Sequence, residues 1–133
     1  MARTNRLLTD LGIDLLATCC CVWLDLEAET AEISSAGHPA PLLGRPGDRF
    51  APPDLPKGTP LGVRPDTSYR SVQIPLPEGT VLVLYTDGLV HSHSMDLDEG
   101  VAALHARLAA SGDLRLEVLA RTTQLAQCSR WHT

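Results

Sequence analysis

The stretch that decides the fold is residues 80–88, which reads TVLVLYTDG. Its first six residues are almost continuously apolar and have the length of a strand, which predicts a central strand buried on both faces. The run leads directly into Thr86, Asp87 and Gly88. A carboxylate held at the rim of a sheet is a candidate ligand for Mg²⁺ or Mn²⁺, because these ions prefer oxygen donors. An Asp-Gly pair is also a common turn, so the pair alone leaves both interpretations open.

Strand and helix patterns surround this run. Apolar runs and alternation predict strands, and recurrence at helical spacing predicts helices. The predicted strands are residues 17–24, 30–35, 42–43 and 72–76, and the predicted helices are residues 3–11, 97–108 and 114–125. Residues 17–24 are largely apolar, as in a buried strand. A short acidic link joins them to residues 30–35, which predicts an antiparallel hairpin.

Composition and charge exclude several classes of protein. The chain has 133 residues and a formal net charge of −5. This acidic balance argues against a nucleic-acid-binding protein, which usually carries a basic patch. The apolar runs are far shorter than the roughly 18 residues of a membrane span, and the N-terminus does not have the pattern of a secretory signal. We therefore expect a cytoplasmic protein that forms one domain or part of one and binds neither nucleic acid nor membrane.

The cysteines are Cys19, Cys20, Cys21 and Cys128. Three consecutive cysteines do not have a spacing typical of metal or redox sites, because alternate strand residues point to opposite faces. Adjacent cysteines are also poor disulfide partners. We expect small apolar strand residues in a reducing compartment, with a reactive thiol as the alternative.

Histidines and cations supply further candidates. His38 lies in a Gly-His-Pro turn and is either a polar group near a metal site or a turn residue whose ring bonds to backbone. His91 and His93 are spaced to point the same way on a strand and so to bind a borderline metal. Their serine-rich surroundings favour solvated loop histidines instead. Lys57 and Arg64 flank the proline- and glycine-rich loop and could contact phosphate, although solvated surface charges are the default interpretation.

Three segments occur in an order that is typical of one protein family. They are residues 36–43 (AGHPAPLL), 58–63 (GTPLGV) and 81–90 (VLVLYTDGLV). Together they closely resemble the SpoIIE-type branch of the bacterial PPM (PP2C-like) serine/threonine phosphatases. The matching pattern in that family is AGHPP-LL, then PLG, then LVLYTDGL. The resemblance covers roughly residues 5–125.

The resemblance implies an α+β fold, an α-β-β-α sandwich of two antiparallel sheets between helices. It also implies a centre of two divalent ions, Mn²⁺ or Mg²⁺, whose bridging water attacks the phosphorus of phosphoserine or phosphothreonine. Asp87 matches the family's metal-ligand aspartate, with the backbone of Gly88 beside it and Thr86, Gly37 and His38 as residues near the site. The implied substrate is a phosphoprotein such as an anti-sigma-factor antagonist.

The sequence departs from the family pattern at three positions. No Asp-hydrophobe-x-Gly-His-Gly segment precedes residues 17–18, no acidic residue follows Gln127, and His91 stands where the family has glutamate. One carboxylate does not chelate two hard cations. We therefore expect little or no phosphatase activity from this polypeptide. The alternative is a non-catalytic protein-interaction module that retains the phosphatase surface.

These departures lead to an expectation about the domain. We expect residues 1–133 to be a single truncated phosphatase domain without its N-terminal part, with a core at about residues 5–125 and a tail at residues 128–133. The strands missing from such a domain would leave a sheet edge and apolar surface exposed. A homodimer that covers this surface is therefore expected.

Overall fold

Eight elements make up the part of the chain that the computed structural model describes, which is residues 1–12, 15–90 and 97–110. They are α1 (Ala2–Asp10), β1 (Cys19–Asp25), β2 (Thr30–Ala36), β3 (Leu42–Gly44), β4 (Ser71–Pro75), β5 (Val81–Val83), α2 (Asp87–Val90) and α3 (Leu97–Ala110). The predicted helix at residues 114–125 and the predicted tail lie outside these residues. None of the helices in the described ranges has both the length and the apolarity to cross a membrane.

The chain divides into two compact units. The first consists of Met1–Ala40 and Pro53–Glu78, and the second of Pro41–Pro52 and Gly79–Thr133. The first unit contains α1 and a three-stranded sheet in the order β1-β2-β4, and the second contains a two-stranded sheet, β3-β5, with α2 and α3. The named strands all pair in antiparallel orientation, which confirms the expected α+β fold with two antiparallel sheets.

The predicted hairpin of β1 and β2 is confirmed. The two strands pair from Cys19 opposite Ala36 to Asp25 opposite Thr30. In the connecting turn the backbone N–H of Ala28 donates to Oδ1 of Asp25 at 2.9 Å, so the aspartate side chain closes the turn locally. On its other side β2 pairs with β4, which makes β2 the middle strand of this sheet.

β1 is more exposed than its apolar sequence predicts. Trp23 is 75% and Leu24 is 48% exposed, whereas Ala31 and Ile33 on the middle strand β2 are 0% exposed. None of residues 17–24 is buried, so the prediction of a buried strand there is wrong. Among the described strands β1 has a neighbour on one side only, so its side chains are flanked by fewer atoms than those of β2.

The strand at residues 80–85 is shorter and less buried than predicted. β5 spans Val81–Val83, its three residues are half-buried, and Leu84 is 55% exposed. The reason is that one face of β5 packs against the core of the second unit, where Val81 and Val83 lie. The core residues are Leu42, Phe50, Tyr85, Val90, Leu104 and Leu108. Burial on both faces is thus wrong for this strand.

α3 closes the core of the second unit. Leu104 and Leu108, one helical turn apart, are buried, as the apolar spacing predicts. Gly100 lies in the first half of the helix, where glycine costs about 1 kcal/mol relative to alanine. A Cβ at Gly100 would overlap the backbone carbonyl of Val90, so the missing side chain lets α3 approach α2 closely. Packing therefore explains a residue that disfavours the helix locally.

Candidate functional site

Asp87 is the first residue of α2 and follows shortly after β5. Its side chain is exposed, and Oδ1 accepts a hydrogen bond from the backbone N–H of Gly88 at 2.9 Å. The carbonyl of Thr86 accepts a hydrogen bond from the N–H of Leu89, also at 2.9 Å, which closes the turn. A carboxylate offers about four lone-pair sites, so this single contact leaves Asp87 able to bind a cation. The turn interpretation and the ligand interpretation are compatible.

The turn at Asp87 rests on the apolar core of the second unit. Tyr85 and Val90, on either side of it, are buried. Burial raises the pKa of the Tyr85 hydroxyl above its ordinary value of 10.0, so this phenol stays neutral at pH 7. Gly100 packs against the backbone of Val90 from α3. The exposed carboxylate of Asp87 therefore lies on a turn whose neighbouring residues are packed into the core. A side chain that binds a ligand requires such rigid support.

Gly37, in the first unit, follows β2 in a backbone conformation that favours glycine. Its φ of +67° lies in the left-handed region, where a side chain is strained. A Cβ at this position would also lie 2.5 Å from Cγ of Pro60. Pro60 belongs to the segment at residues 58–63, so two of the three motif segments touch at this glycine. Gly37 therefore has a structural reason to be glycine.

The side chain of His38 is engaged within the first unit. Nδ1 of its ring lies 3.0 Å from Oγ1 of Thr18, and its carbonyl accepts a hydrogen bond from Oγ of Ser35 at 3.0 Å. The ring thus bonds to a hydroxyl, whereas the turn interpretation predicted a bond to backbone. A neutral imidazole bonded through one nitrogen keeps the second nitrogen for a ligand. The role of His38 near a metal site stays a prediction.

Asn5 of α1 anchors the segment at residues 58–63, and sequence reasoning missed it. Asn5 is 0% exposed. Its Nδ2 donates to the carbonyls of Arg64 at 2.7 Å and Pro65 at 3.3 Å, and its Oδ1 accepts from the N–H of Gly62 at 2.8 Å. Asparagine is a poor helix former, so its place inside a predicted helix was the one available signal.

The described side chains do not fit a centre of two metal ions. In residues 1–12, 15–90 and 97–110, no group of three His, Cys, Asp or Glu residues is placed to hold a metal ion. Mg²⁺ and Mn²⁺ are held by several oxygen ligands, and Asp87 supplies one carboxylate. The described residues by themselves therefore support no step that passes through a pair of metal ions.

The predicted site residues fall into two sets. Gly37 and His38 belong to the first unit, whereas Thr86, Asp87 and Gly88 belong to the second. Within each unit the members of a set are neighbours in sequence. The pair of histidines after residue 90 lies outside the described residues, and its metal-binding interpretation stays a prediction.

A cavity of about 250 Å³ opens in the first unit beside the proline- and glycine-rich loop. It is lined by Ser35, Pro56, Lys57, Gly58, Ser68, Tyr69 and Arg70. Two of these side chains are cationic, and Oη of Tyr69 is buried without a hydrogen-bond partner within the described part of the chain. The exposed Arg64 is not among the lining residues. The cavity is therefore lined by two cationic side chains, Lys57 and Arg70.

Comparison with known proteins agrees with the order of the motifs. The family model of stage II sporulation protein E (SpoIIE) matches residues 1–127. Among solved structures, the chain is similar to part of one chain from the structure of the RsbU and RsbW domains of Rv1364c from Mycobacterium tuberculosis, with a TM-score of 0.77 and 23% sequence identity. The match covers 94% of this chain and 35% of that chain, so this chain spans about a third of its length. No curated protein matches the sequence.

Proposed function

We propose, since this chain belongs to the stage II sporulation protein E (SpoIIE) family, that it is a PPM-lineage phosphatase fold whose 133 residues hydrolyse phosphoproteins weakly or not at all by themselves. The proposal rests on the exposure of Asp87 and on the lack of further metal ligands near it among the described residues. Asp87 offers an accessible carboxylate at the family's metal-ligand position, and no group of three metal-binding side chains exists among the described residues. A single carboxylate, with the backbone of Gly88 beside it, binds Mn²⁺ or Mg²⁺ weakly.

The proposed substrate class is phosphoserine or phosphothreonine in a small phosphoprotein, such as an anti-sigma-factor antagonist. Family membership supports this class. The similar solved structure also contains an RsbU and an RsbW domain together, which is consistent with a partner that is itself a regulatory protein. The match covers 35% of that chain. Any protein partner of the present chain is therefore part of this proposal.

A phosphatase assay tests the proposal. Phosphate release from a phosphoserine peptide is measured with Mn²⁺ for the unmodified chain, for Asp87→Ala and for Asp48→Ala. Asp48 is the matched control because it is also an exposed aspartate of the second unit. We expect all three proteins to release phosphate at the background rate or only slightly above it. Rapid release by the unmodified chain and by Asp48→Ala, but not by Asp87→Ala, would show that the site is complete and overturn the proposal.

Metal binding is a separate readout at the same residue. Electron paramagnetic resonance of Mn²⁺ reports bound ion without requiring turnover. We expect weak binding that Asp87→Ala removes and Asp48→Ala retains. Equal binding by the two variants would mean that Asp87 has lost the ligand role that its motif implies.

The second candidate function is non-catalytic binding of a phosphoprotein, and the cavity of the first unit favours it. Lys57 and Arg70 provide charge for a phosphoryl group. Fluorescence anisotropy with a phosphoserine peptide and its unphosphorylated form measures this binding. We expect Lys57→Ala and Arg70→Ala to weaken binding of the phosphorylated peptide, whereas Arg64→Ala, outside the cavity, leaves it unchanged.

The expected homodimer belongs to the same proposal. Trp23 and Leu24 on β1 are exposed, and β1 lies at the edge of the three-stranded sheet formed by the described strands. An exposed apolar edge strand is a surface for pairing with another chain. Light scattering should give about twice the mass of one chain for the unmodified protein and a lower mass for Trp23→Lys. A soluble monomer at high concentration would contradict the dimer.

A further inference from the structure

The register of β1 brings two of its three cysteines together. Successive side chains of a strand point to opposite faces, so Cys19 and Cys21 share one face and Cys20 lies on the other. Sγ of Cys19 and Sγ of Cys21 are 3.8 Å apart. Alternation along the strand argued against a metal site formed by all three cysteines. It places only Cys20 on the opposite face, so the thiols of Cys19 and Cys21 remain together on one face.

The separation of the two sulfur atoms fits one metal ion better than a disulfide. Two thiolates bound at about 2.3 Å to one tetrahedral ion lie about 3.8 Å apart. The observed distance between Sγ of Cys19 and Sγ of Cys21 is 3.8 Å. A disulfide would need the same atoms at about 2.05 Å, which a strand paired along its length opposes. The pair can thus accept an ion without a change in the backbone.

The surroundings leave room for an ion on this face. The residues paired with Cys19 and Cys21 on β2 are Ala36 and Ser34, which are both small. Cys21 is exposed and Cys19 is partly exposed, so the pair is open to solvent. Oγ of Ser34 donates to the thioether of Met1 at 3.6 Å, so a further soft sulfur atom lies on the same side of the sheet.

The protonation of Cys19 and Cys20 argues against a reactive nucleophile at these two positions. Burial, followed by the hydrogen bond to Cys21, raises the pKa of Cys19 above its ordinary value of 9.0. Burial also raises the pKa of Cys20 above that value. Thiols that stay protonated at pH 7 are weak nucleophiles. A thiophilic cation can still bind by displacing the protons.

We propose that Cys19 and Cys21 form a two-thiolate site for a thiophilic divalent cation, with Zn²⁺ as the first candidate. Each thiol releases its proton to solvent as its bond to the ion forms, so one bound ion releases two protons. The described residues supply no third His, Cys, Asp or Glu to the pair. Within the part of the chain that the structure describes, the two remaining positions of a tetrahedral ion are left to water or an external ligand. This site is independent of Asp87 and of the proposed phosphatase lineage.

Titration with Cd²⁺ tests the site, because cadmium–thiolate bonds give a charge-transfer absorption in the ultraviolet. All proteins carry Cys128→Ser, so that the only remaining thiols are the three of β1. We expect saturation at one ion per chain, displacement by Zn²⁺, and loss of the signal in Cys19→Ser and in Cys21→Ser. Cys20→Ser is the matched control, since it removes a neighbouring thiol on the opposite face and should bind unchanged.

A second measurement needs no substitution in β1. Alkylation by iodoacetamide, followed by peptide mass spectrometry, reports which thiols the ion covers. With Cd²⁺ bound, Cys19 and Cys21 should be protected while Cys20 reacts at its metal-free rate. Absence of saturable binding, or equal dependence on all three cysteines in either measurement, would overturn the proposal.

Discussion

The two turns that carry the family motifs are built differently, although each follows a strand. In the first unit, Gly37 lies against Pro60, and the ring of His38 bonds to Thr18. In the second unit, the carboxylate of Asp87 is exposed and bonds to the N–H of the next residue. The first turn has packing and hydrogen bonds that require its residues. The second has an apolar base beneath it but no contact that requires an aspartate.

This difference distinguishes motif residues that stabilise the fold from a motif residue that is available to bind a ligand. Changes in the first unit's motif segments should lower the free energy of unfolding, whereas a change at Asp87 should alter ligand binding and leave folding intact. Exposed side chains that make no extensive contacts usually change stability by less than about 0.5 kcal/mol when replaced.

The largest expected effect concerns Asn5, which supports the segment at residues 58–63. Asn5→Leu removes the partner of the N–H of Gly62 and of the carbonyl of Arg64, and both of these hydrogen bonds are partly buried, so we expect a loss of about 2–4 kcal/mol in the free energy of unfolding. Urea denaturation measures this loss. Thr4→Leu, on an exposed position of the same helix, is the matched control and should change it by less than about 0.5 kcal/mol. Similar losses for both variants would contradict the anchoring role.

Gly37 should rank next, because its backbone angle and its contact both resist a side chain. Gly37→Ala combines a strained φ of +67° with a Cβ that lies 2.5 Å from Cγ of Pro60, and we expect a loss of about 2–3 kcal/mol. Gly12 has a similar φ of +61°, but a Cβ added there would have nothing within 4 Å. Gly12→Ala should therefore cost about 1 kcal/mol. If calorimetry gives the same decrease in melting temperature for Gly37→Ala and Gly12→Ala, the contact with Pro60 does not restrict a side chain at position 37.

The bond between Thr18 and His38 should contribute a smaller coupling. The two side chains meet at 3.0 Å, partly exposed to solvent. A double-mutant cycle of Thr18→Val and His38→Phe should give a coupling free energy of about 0.5–1.5 kcal/mol. A coupling of zero would mean that the bond to Thr18 does not stabilise the fold. That result would favour the interpretation of His38 as a residue near a metal site.

Among the described residues of the second unit, His105 is a group whose charge should affect stability near neutral pH. Burial, followed by repulsion from Arg49, lowers the pKa of His105 below its ordinary value of 6.5, and its Nε2 is buried without a partner within the described residues. The unfolded chain then binds a proton more readily than the folded chain, so stability should fall as the pH drops below about 6.5. His105→Gln should flatten this part of the pH profile in urea denaturation. A variant with the same slope between pH 7 and pH 5 would contradict this assignment.

The smallest expected effect on folding is that of Asp87→Asn. The amide oxygen can still accept from the N–H of Gly88, and the side chain is exposed. The free energy of unfolding should change by less than about 0.5 kcal/mol. The same variant should lose Mn²⁺ binding, because a neutral amide is a weaker ligand than a carboxylate. A large loss of stability would mean that Asp87, like the motif residues of the first unit, is needed for folding.

Local patterns predicted a large part of the fold and one part of the site. The hairpin follows from alternation around a short acidic link, and α3 follows from apolar residues that recur every three to four positions. The motif order led to the family that the comparisons confirm. These features depend on residues close together in sequence or on the identity of a few side chains, so a sequence contains them directly.

By itself, the sequence determined the family, the antiparallel hairpin and the identity of Asp87 as the candidate ligand. The tertiary structure decided which strand positions are covered, as the exposed Trp23 and Leu84 show. It also decided the hydrogen bonds of Asn5, whose partners lie 57 to 60 residues away along the chain. The distance between the sulfur atoms of Cys19 and Cys21 likewise required coordinates. Burial and long-range bonding depend on which distant residues meet, and no local pattern encodes that.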